Sequence, residues 1–501
     1  MRTPFRIGAL IVALALPPSA ARPATAPPHP SASAPHSSAV RWTPEEIAAL
    51  RTRFDALLAD PVLGGAHLGA LFVSTADGTT LYARNDTDEF VPASNFKLLI
   101  GSVALDKLGP TFTFRTSVLA DGTIHARTLH GNLYLRGGGD AHLSVADLAA
   151  AADAVAFAGI RRIDGALITD ASLFAGRRYP PGWVIDDLPY YYAAPISALS
   201  LDENVVHVRV APGATVGAPV LLSVVPATDA LHLENRAVTG PRGSAETLDL
   251  ERPAGDLGTI RIVGSYPLGA PLSDDLAPAV PDPPRYAGDL FRQLLRARGI
   301  IVNGGIRNGV APPHARVLWQ HDSAPLAQML AQMWLPSDNL LAELLLRALG
   351  IIITGPPGTM REGFTVERLW LRDAGIDPAT VALADGSGLS IYDRITPDDL
   401  VAILQHDWNS PYRDVVLDAL PVAGVRGTLR DAYRGTPAAG AVYAKTGTMT
   451  HVSAISGYVM TATHGPVTFS LLLDDWVPRV AHPDEALARV RAALFSYLAQ
   501  Q

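Results

Sequence analysis

The chain contains no cysteine. That excludes disulfides, thiol nucleophiles, thiolate metal sites and a lipidated N-terminal cysteine. Lysine is almost as scarce. Only Lys97, Lys107 and Lys445 stand among 40 basic residues, and the rest are arginine. A guanidinium keeps its proton, whereas a buried ammonium can give one up. Lysines kept in an arginine-using chain therefore point to places where a neutral amine is useful. A basic excess is also missing: the net charge is −8, so nothing suggests nucleic-acid binding and no nucleic-acid partner is expected. No His-Glu-x-x-His or phosphate-loop pattern occurs, and Gly137-Gly138-Gly139 reads as a turn, so no metal or cofactor is expected. Beyond the N-terminus no charge-free apolar run is long enough for a membrane helix, so the mature chain is expected to have no transmembrane helix.

What is present begins with a leader. Arg2 and Arg6 precede the apolar run from Ile7 to Leu16, and Ser19-Ala20-Ala21 is a small-residue cleavage site. Residues 1–21 read as a secretory signal, the alternative being an uncleaved anchor. Residues 22–40, rich in Pro, Ala and Ser, read as a disordered linker. The protein is expected in the periplasm or another extracytoplasmic cell-wall compartment. A length of 501 residues implies two or three domains. Thr43, Pro44 and Glu46 spell a capped helix start. Leu68–Ser74, Asp77-Gly78 and Thr79–Ala83 spell a hairpin, followed by a helix from Ser94 to about Leu108. At the other end, strands are expected over Ala441–Lys445, Val452–Thr461 and Val467–Leu473. A helix over Asp484–Gln500 follows, its apolar face covering a sheet or, alternatively, a membrane surface. Both chain ends thus build one α/β domain, and the β-rich stretch from about 205 to 270 lies within an insertion.

Three short motifs carry chemistry. Ser94 and Lys97 form Ser-x-x-Lys, at the spacing that shares a helix face. A serine needs a base to take its proton, and an amine of lowered pKa can serve. Ser337-Asp338-Asn339 falls between two helical stretches. There Ser337 can relay a proton and Asn339 can hold a substrate amide. Lys445-Thr446-Gly447-Thr448 ends an expected strand. Its cation and hydroxyls suit a carboxylate, and Gly447 allows close backbone approach. The N–H groups of Ser94 and Thr448 can form an oxyanion hole. Each motif alone also reads as an ordinary helix cap, turn or strand end. Together, in this order, they are the set of serine β-lactamases and penicillin-binding proteins.

The 243 residues from Ser94 to Ser337 exceed what a compact β-lactamase has there. With Gly131–Asp140, Ala194-Pro195-Ile196-Ser197-Ala198-Leu199 and Asp385-Gly386-Ser387-Gly388-Leu389-Ser390, the stretch from Trp42 to Leu498 resembles the D-alanyl-D-alanine carboxypeptidase/endopeptidases called penicillin-binding protein 4, the class C low-molecular-mass type. The resemblance implies a multi-domain α/β fold. Its transpeptidase/β-lactamase-like domain, an antiparallel sheet flanked by helices, spans 41–110 and 300–501. An inserted domain spans 111–204 and 271–299, and a nested β-rich domain spans 205–270. It implies peptidoglycan stem peptides as substrate and β-lactams as covalent inhibitors. It also implies a pocket for a side-chain amine at Asp187 and Tyr192, with Met449 alongside. One residue departs from the family pattern: Ile391 stands where Arg is usual, with Arg394 nearby. Two other readings stay open. A β-lactamase is one, though no Glu-x-x-x-Asn lies between Asn339 and Lys445. A catalytically silent cell-wall binding protein is the other.

Overall fold

The computed structural model describes residues 40–501 apart from residue 254. The expected leader, and the linker up to residue 39, lie outside the described residues. At its centre is a five-stranded sheet in the order Thr80–Arg84, His67–Ser74, Pro466–Asp474, Val452–Met460, Val442–Met449. Every neighbouring pair is antiparallel. The first two strands come from the start of the chain and the other three from its end. The strand His67–Ser74 is buried at every position but its first, because both sheet faces are covered.

On one face lie the helices Pro44–Leu58 and Pro483–Ala499. The first opens on the expected capping box, in which Thr43 and Glu46 each bond the other's backbone N–H. The second buries Leu487, Val490, Leu494, Phe495 and Leu498 in the same apolar cluster as Phe72 and Phe469 of the sheet. At roughly 1.5–3 kcal/mol for each large apolar side chain buried, this face is committed to the sheet rather than to a membrane. On the other face the helix Lys97–Leu108 sits among Leu326–Trp334, Asn339–Thr354, Met360–Asp373 and Pro397–Asn409 in a second cluster. Among the described residues no helix is long and apolar enough to cross a membrane.

The residues between the helix Lys97–Leu108 and Ser337 build separate sheets. One is mixed, in the order Ile306–Asn308, Leu167–Asp170, Leu133–Arg136, Arg115–Ala120, Arg316–Asp322. Another has the order Ile301–Val302, Arg162–Ile163, Thr128–His130, Thr123–His125. The expected boundary at 300 therefore falls too early. The strands over 301–322 pair with strands of 115–170, and the chain returns to the helices packed around Lys97–Leu108 only after Asp322. Ile301–Val302 and Ile306–Asn308 are parallel and too short to carry a periodicity that would announce them. The strands between His207 and Leu276 make three small sheets of their own. Their apolar residues, Val208 and Ile260 among them, nevertheless join Val118 and Leu135 in one continuous buried cluster.

Candidate active site

Ser94 lies in a short 3-10 turn, Ala93–Phe96, that runs directly into the helix beginning at Lys97. Lys97 is completely buried. Its Nζ donates to Ser94 Oγ at 2.9 Å, to the Ser387 carbonyl at 2.7 Å and to Asn339 Oδ1. The turn is held from two sides. Asn95 donates to Ser456 Oγ on the sheet, and Trp334 donates to the Lys97 carbonyl. Two glycines make the close packing possible. A Cβ on Gly447 would stand 2.7 Å from the Pro92 carbonyl oxygen and 3.0 Å from the Ser94 nitrogen. At Gly388, where φ is +77°, a Cβ would run into the Ala93 carbonyl.

Ser337 has a φ of 71°, a left-handed conformation that a serine holds only when its surroundings impose it. Asp338 caps the helix Asn339–Thr354 by accepting from Leu341 N at 3.1 Å. The turn delivers Ser337 Oγ to Lys445 Nζ at 2.9 Å. Lys445 also donates to the Thr446 carbonyl at 2.7 Å. The expected strand stopping at Lys445 is longer than the sequence indicated. It runs to Met449, so that Lys445–Thr448 lies within it and pairs with Ser456–Ser453. Thr446 Oγ1 shares a hydrogen bond with Thr428 Oγ1.

Two buried amines meet here, and burial dominates both. It draws the Lys97 pKa down to about 8 from 10.5, against the opposing charges of Asp385, Asp338, Glu343 and Asp393. Lys445 goes well below its ordinary value, through burial first and the Lys97 charge second. A hydroxyl 2.9 Å from an amine that can be neutral near physiological pH has the geometry that a base-activated nucleophile requires.

These groups open onto a cleft of about 440 Å³. Ser94, Ser337, Asn339, Thr448, Met449, Asp187 and Tyr192 line it, while Lys97 and Lys445 lie beneath the hydroxyls they contact. Asp187 and Tyr192 come from the inserted chain. The Tyr192 hydroxyl donates to Asp187 Oδ1 at 3.0 Å, and the Tyr190 ring stacks on Tyr192 at 5.5 Å. Partial burial raises the Asp187 pKa. Ile391 also lines the cleft. Arg394 does not replace the usual arginine: its guanidinium turns back onto the carbonyls of Ile391 and Asp393.

Sequence reasoning missed the shell behind Lys97. Asp385 accepts from the N–H groups of Ser387, Gly388 and Ser390 and from Trp183 Nε1. Glu343 accepts from Gly386 and Ser387 N–H and from Arg347. Together they fix the loop whose Ser387 carbonyl reaches Lys97. An acid placed inside so apolar a helix as Asn339–Thr354 was the available signal.

An antiparallel sheet between helical layers, with serine–lysine pairs at its edge, defines a fold of the penicillin-binding class. The crystal structure of penicillin binding protein 4 from Haemophilus influenzae matches it with a TM-score of 0.81 at 25% identity, covering 89% of this chain and 99% of that one. A curated D-alanyl-D-alanine carboxypeptidase of Actinomadura sp. (strain R39) is 39% identical over 437 residues, 84% of this chain and 80% of the relative. D-alanyl-D-alanine carboxypeptidase DacB of Haemophilus influenzae is 26% identical, over 81% of this chain and 85% of its own length. Residues 50–500 match the D-Ala-D-Ala carboxypeptidase 3 (S13) family, and the chain belongs to that family.

Proposed function

We propose that the protein is an exported serine DD-peptidase that hydrolyses D-Ala-D-Xaa bonds of peptidoglycan stem peptides through an acyl-enzyme on Ser94. The observation that carries this reading is the 2.9 Å contact between Ser94 Oγ and the buried Lys97 amine. Ser94 Oγ attacks the D-Ala carbonyl carbon while Lys97 takes its proton. The oxyanion rests on the N–H groups of Ser94 and Thr448. Ser337, in contact with Lys445, passes a proton to the leaving amine as the C–N bond breaks. Water then cleaves the ester and restores Ser94.

The two lysines divide the work by charge. A substrate carboxylate held at Lys445, Thr446 and Thr448 favours the ammonium form of Lys445. That charge disfavours a second one on Lys97 and leaves it neutral as base. Gly447 keeps the strand close to the Ser94 turn, and Asn339 orients the substrate amide. Asp187 and Tyr192, with Met449 beside them, receive a side-chain ammonium by charge and cation–π contact. The transpeptidase-like domain is interrupted by the two nested insertions, and the inserted chain supplies that wall of the cleft.

The test is covalent labelling. A labelled penicillin should modify Ser94, as found by digestion and mass spectrometry, and a D-Ala-D-Ala peptide should be turned over. Label on another serine, or undiminished labelling of Ser94→Ala, overturns the assignment. Labelling without peptide turnover points instead to a β-lactamase or a silent binding protein.

A further inference from the structure

At the Ser337 turn three side chains from distant parts of the chain converge. The Nε2 of His142 lies 3.3 Å from Asp338 Oδ2 and 3.7 Å from Glu203 Oε1. All three ligand atoms lie within 4.8 Å of one another. From this arrangement we propose that His142, Glu203 and Asp338 form a zinc site that joins the inserted chain to the Ser337 turn.

The Asp338 side chain is only 5% exposed. Its Oδ1 is used in capping, but its Oδ2 is buried and makes no hydrogen bond, although it points at the imidazole. A buried carboxylate oxygen without a hydrogen bond is costly, and a cation satisfies it. Zinc takes imidazole nitrogen and carboxylate oxygen at about 2.0–2.2 Å. In a tetrahedral site that puts neighbouring ligands roughly 3.4 Å apart, close to the two measured separations. One imidazole with two carboxylates leaves a fourth position for water. That set suits zinc better than magnesium or calcium, which favour oxygen-rich shells. A hollow of about 370 Å³ lined by His142 and Glu203 admits the ion from solvent, and His207 also faces it.

The ligands are held before any ion arrives. Asp202 N donates to the Leu143 carbonyl at 2.8 Å and Glu203 N to the Ala141 carbonyl at 3.0 Å, so the backbones flanking His142 and Glu203 are tied together. Asp202, Glu203 and Asn204 all have positive φ, from 44° to 60°, and Asn204 anchors the turn through Pro195 and Ser200. Because Asp338 stands between Ser337 and Asn339, an ion there fixes the turn that presents both to the cleft. The competing occupant of the cluster is a proton on His142.

Tag-free protein is equilibrated with zinc at neutral pH, dialysed, and its metal measured. One zinc per chain is expected. His142→Ala and Glu203→Gln should each weaken zinc binding at least about tenfold, while His125→Ala, at an exposed histidine elsewhere, should not. If circular dichroism shows His142→Ala unfolded, Glu203→Gln, at a half-exposed side chain, decides. Cobalt in place of zinc should give the visible spectrum of a four-coordinate N/O site in the wild type. Zinc content unchanged in the folded variants, or none retained by the wild type, overturns the site and leaves a protonated imidazole between two carboxylates. None of these readouts depends on peptidase turnover.

Discussion

The Nδ2 of Asn339 donates to the Tyr192 carbonyl at 2.7 Å while its Oδ1 accepts from Lys97 Nζ. A single amide thus ties the buried amine to the inserted chain that walls the cleft. In Asn339→Ala, Lys97 loses an acceptor and the Tyr192 carbonyl loses its donor. A hydrogen bond to a charged group contributes about 1.5–3 kcal/mol. Acylation by a fluorescent penicillin, followed by stopped flow, should slow roughly ten- to a hundredfold. A variant acylated at the wild-type rate would remove Asn339 from the positioning of Lys97.

Lys97→Arg keeps the charge but loses the neutral form, because arginine does not deprotonate in a protein. Base catalysis typically contributes about 10²–10⁴-fold, so acylation should fall by that order. In the wild type, the acylation rate should climb with pH and level off above about 8, where burial has placed the Lys97 pKa. The sign follows from the base being the deprotonated form. A Lys97→Arg enzyme keeping more than about a tenth of the rate, or a rate falling with pH through that range, contradicts Lys97 as base.

Much of this site was legible because its signals are local. Thr43 and Glu46 sit three residues apart and do form their capping box. Ser94 and Lys97 sit three apart and do meet. Ser337-Asp338-Asn339 reads as a connection, and Asp338 does cap a helix there. What escaped depends on partners far along the chain. Glu343 contacts a loop that begins some forty residues later, at Gly386. Ile306–Asn308 pairs in parallel with Leu167–Asp170, a pairing between distant segments that no local pattern announces. His142, Glu203 and Asp338 share no spacing at all, so no metal pattern in the sequence could have brought them together. Chemistry assembled by long-range folding leaves a residue type but no register to read.

Glu343 links the site to stability. Burial first, then the charge of Asp385, raises its pKa from 4.5 to about 7. Between those values the folded chain holds a proton that the unfolded chain has released. Stability therefore falls as pH rises through that window and levels above it, the reverse of an ordinary paired carboxylate. The shift corresponds to about 3 kcal/mol. Glu343→Gln is neutral throughout and keeps an oxygen for the Gly386 and Ser387 amides. Urea unfolding at about pH 5 and about pH 8 should show a smaller loss for the variant than for the wild type. Equal losses would assign the titration to Glu367 or Asp393, whose pKa values burial also raises.

Asp187 and Tyr192 should read a free amine on the substrate without taking part in bond breaking. They line the same cleft as Ser94 but come from the inserted chain, and the Tyr192 hydroxyl already points its hydrogen at Asp187 Oδ1. An incoming ammonium would meet a carboxylate and a stacked pair of tyrosine rings. A group that only positions substrate matters most for substrates bearing its partner. Two peptides ending in D-Ala-D-Ala separate the cases, one with a free side-chain amine and one acetylated. Asp187→Asn should lose kcat/KM mainly on the first, by roughly 1.5–3 kcal/mol for a hydrogen bond to a charged group. Equal losses on both would make Asp187 a residue that shapes the cleft wall through Tyr192. No loss on either would mean that Ile391, which lines the cleft while Arg394 is turned back on the backbone, marks a pocket built for an uncharged side chain.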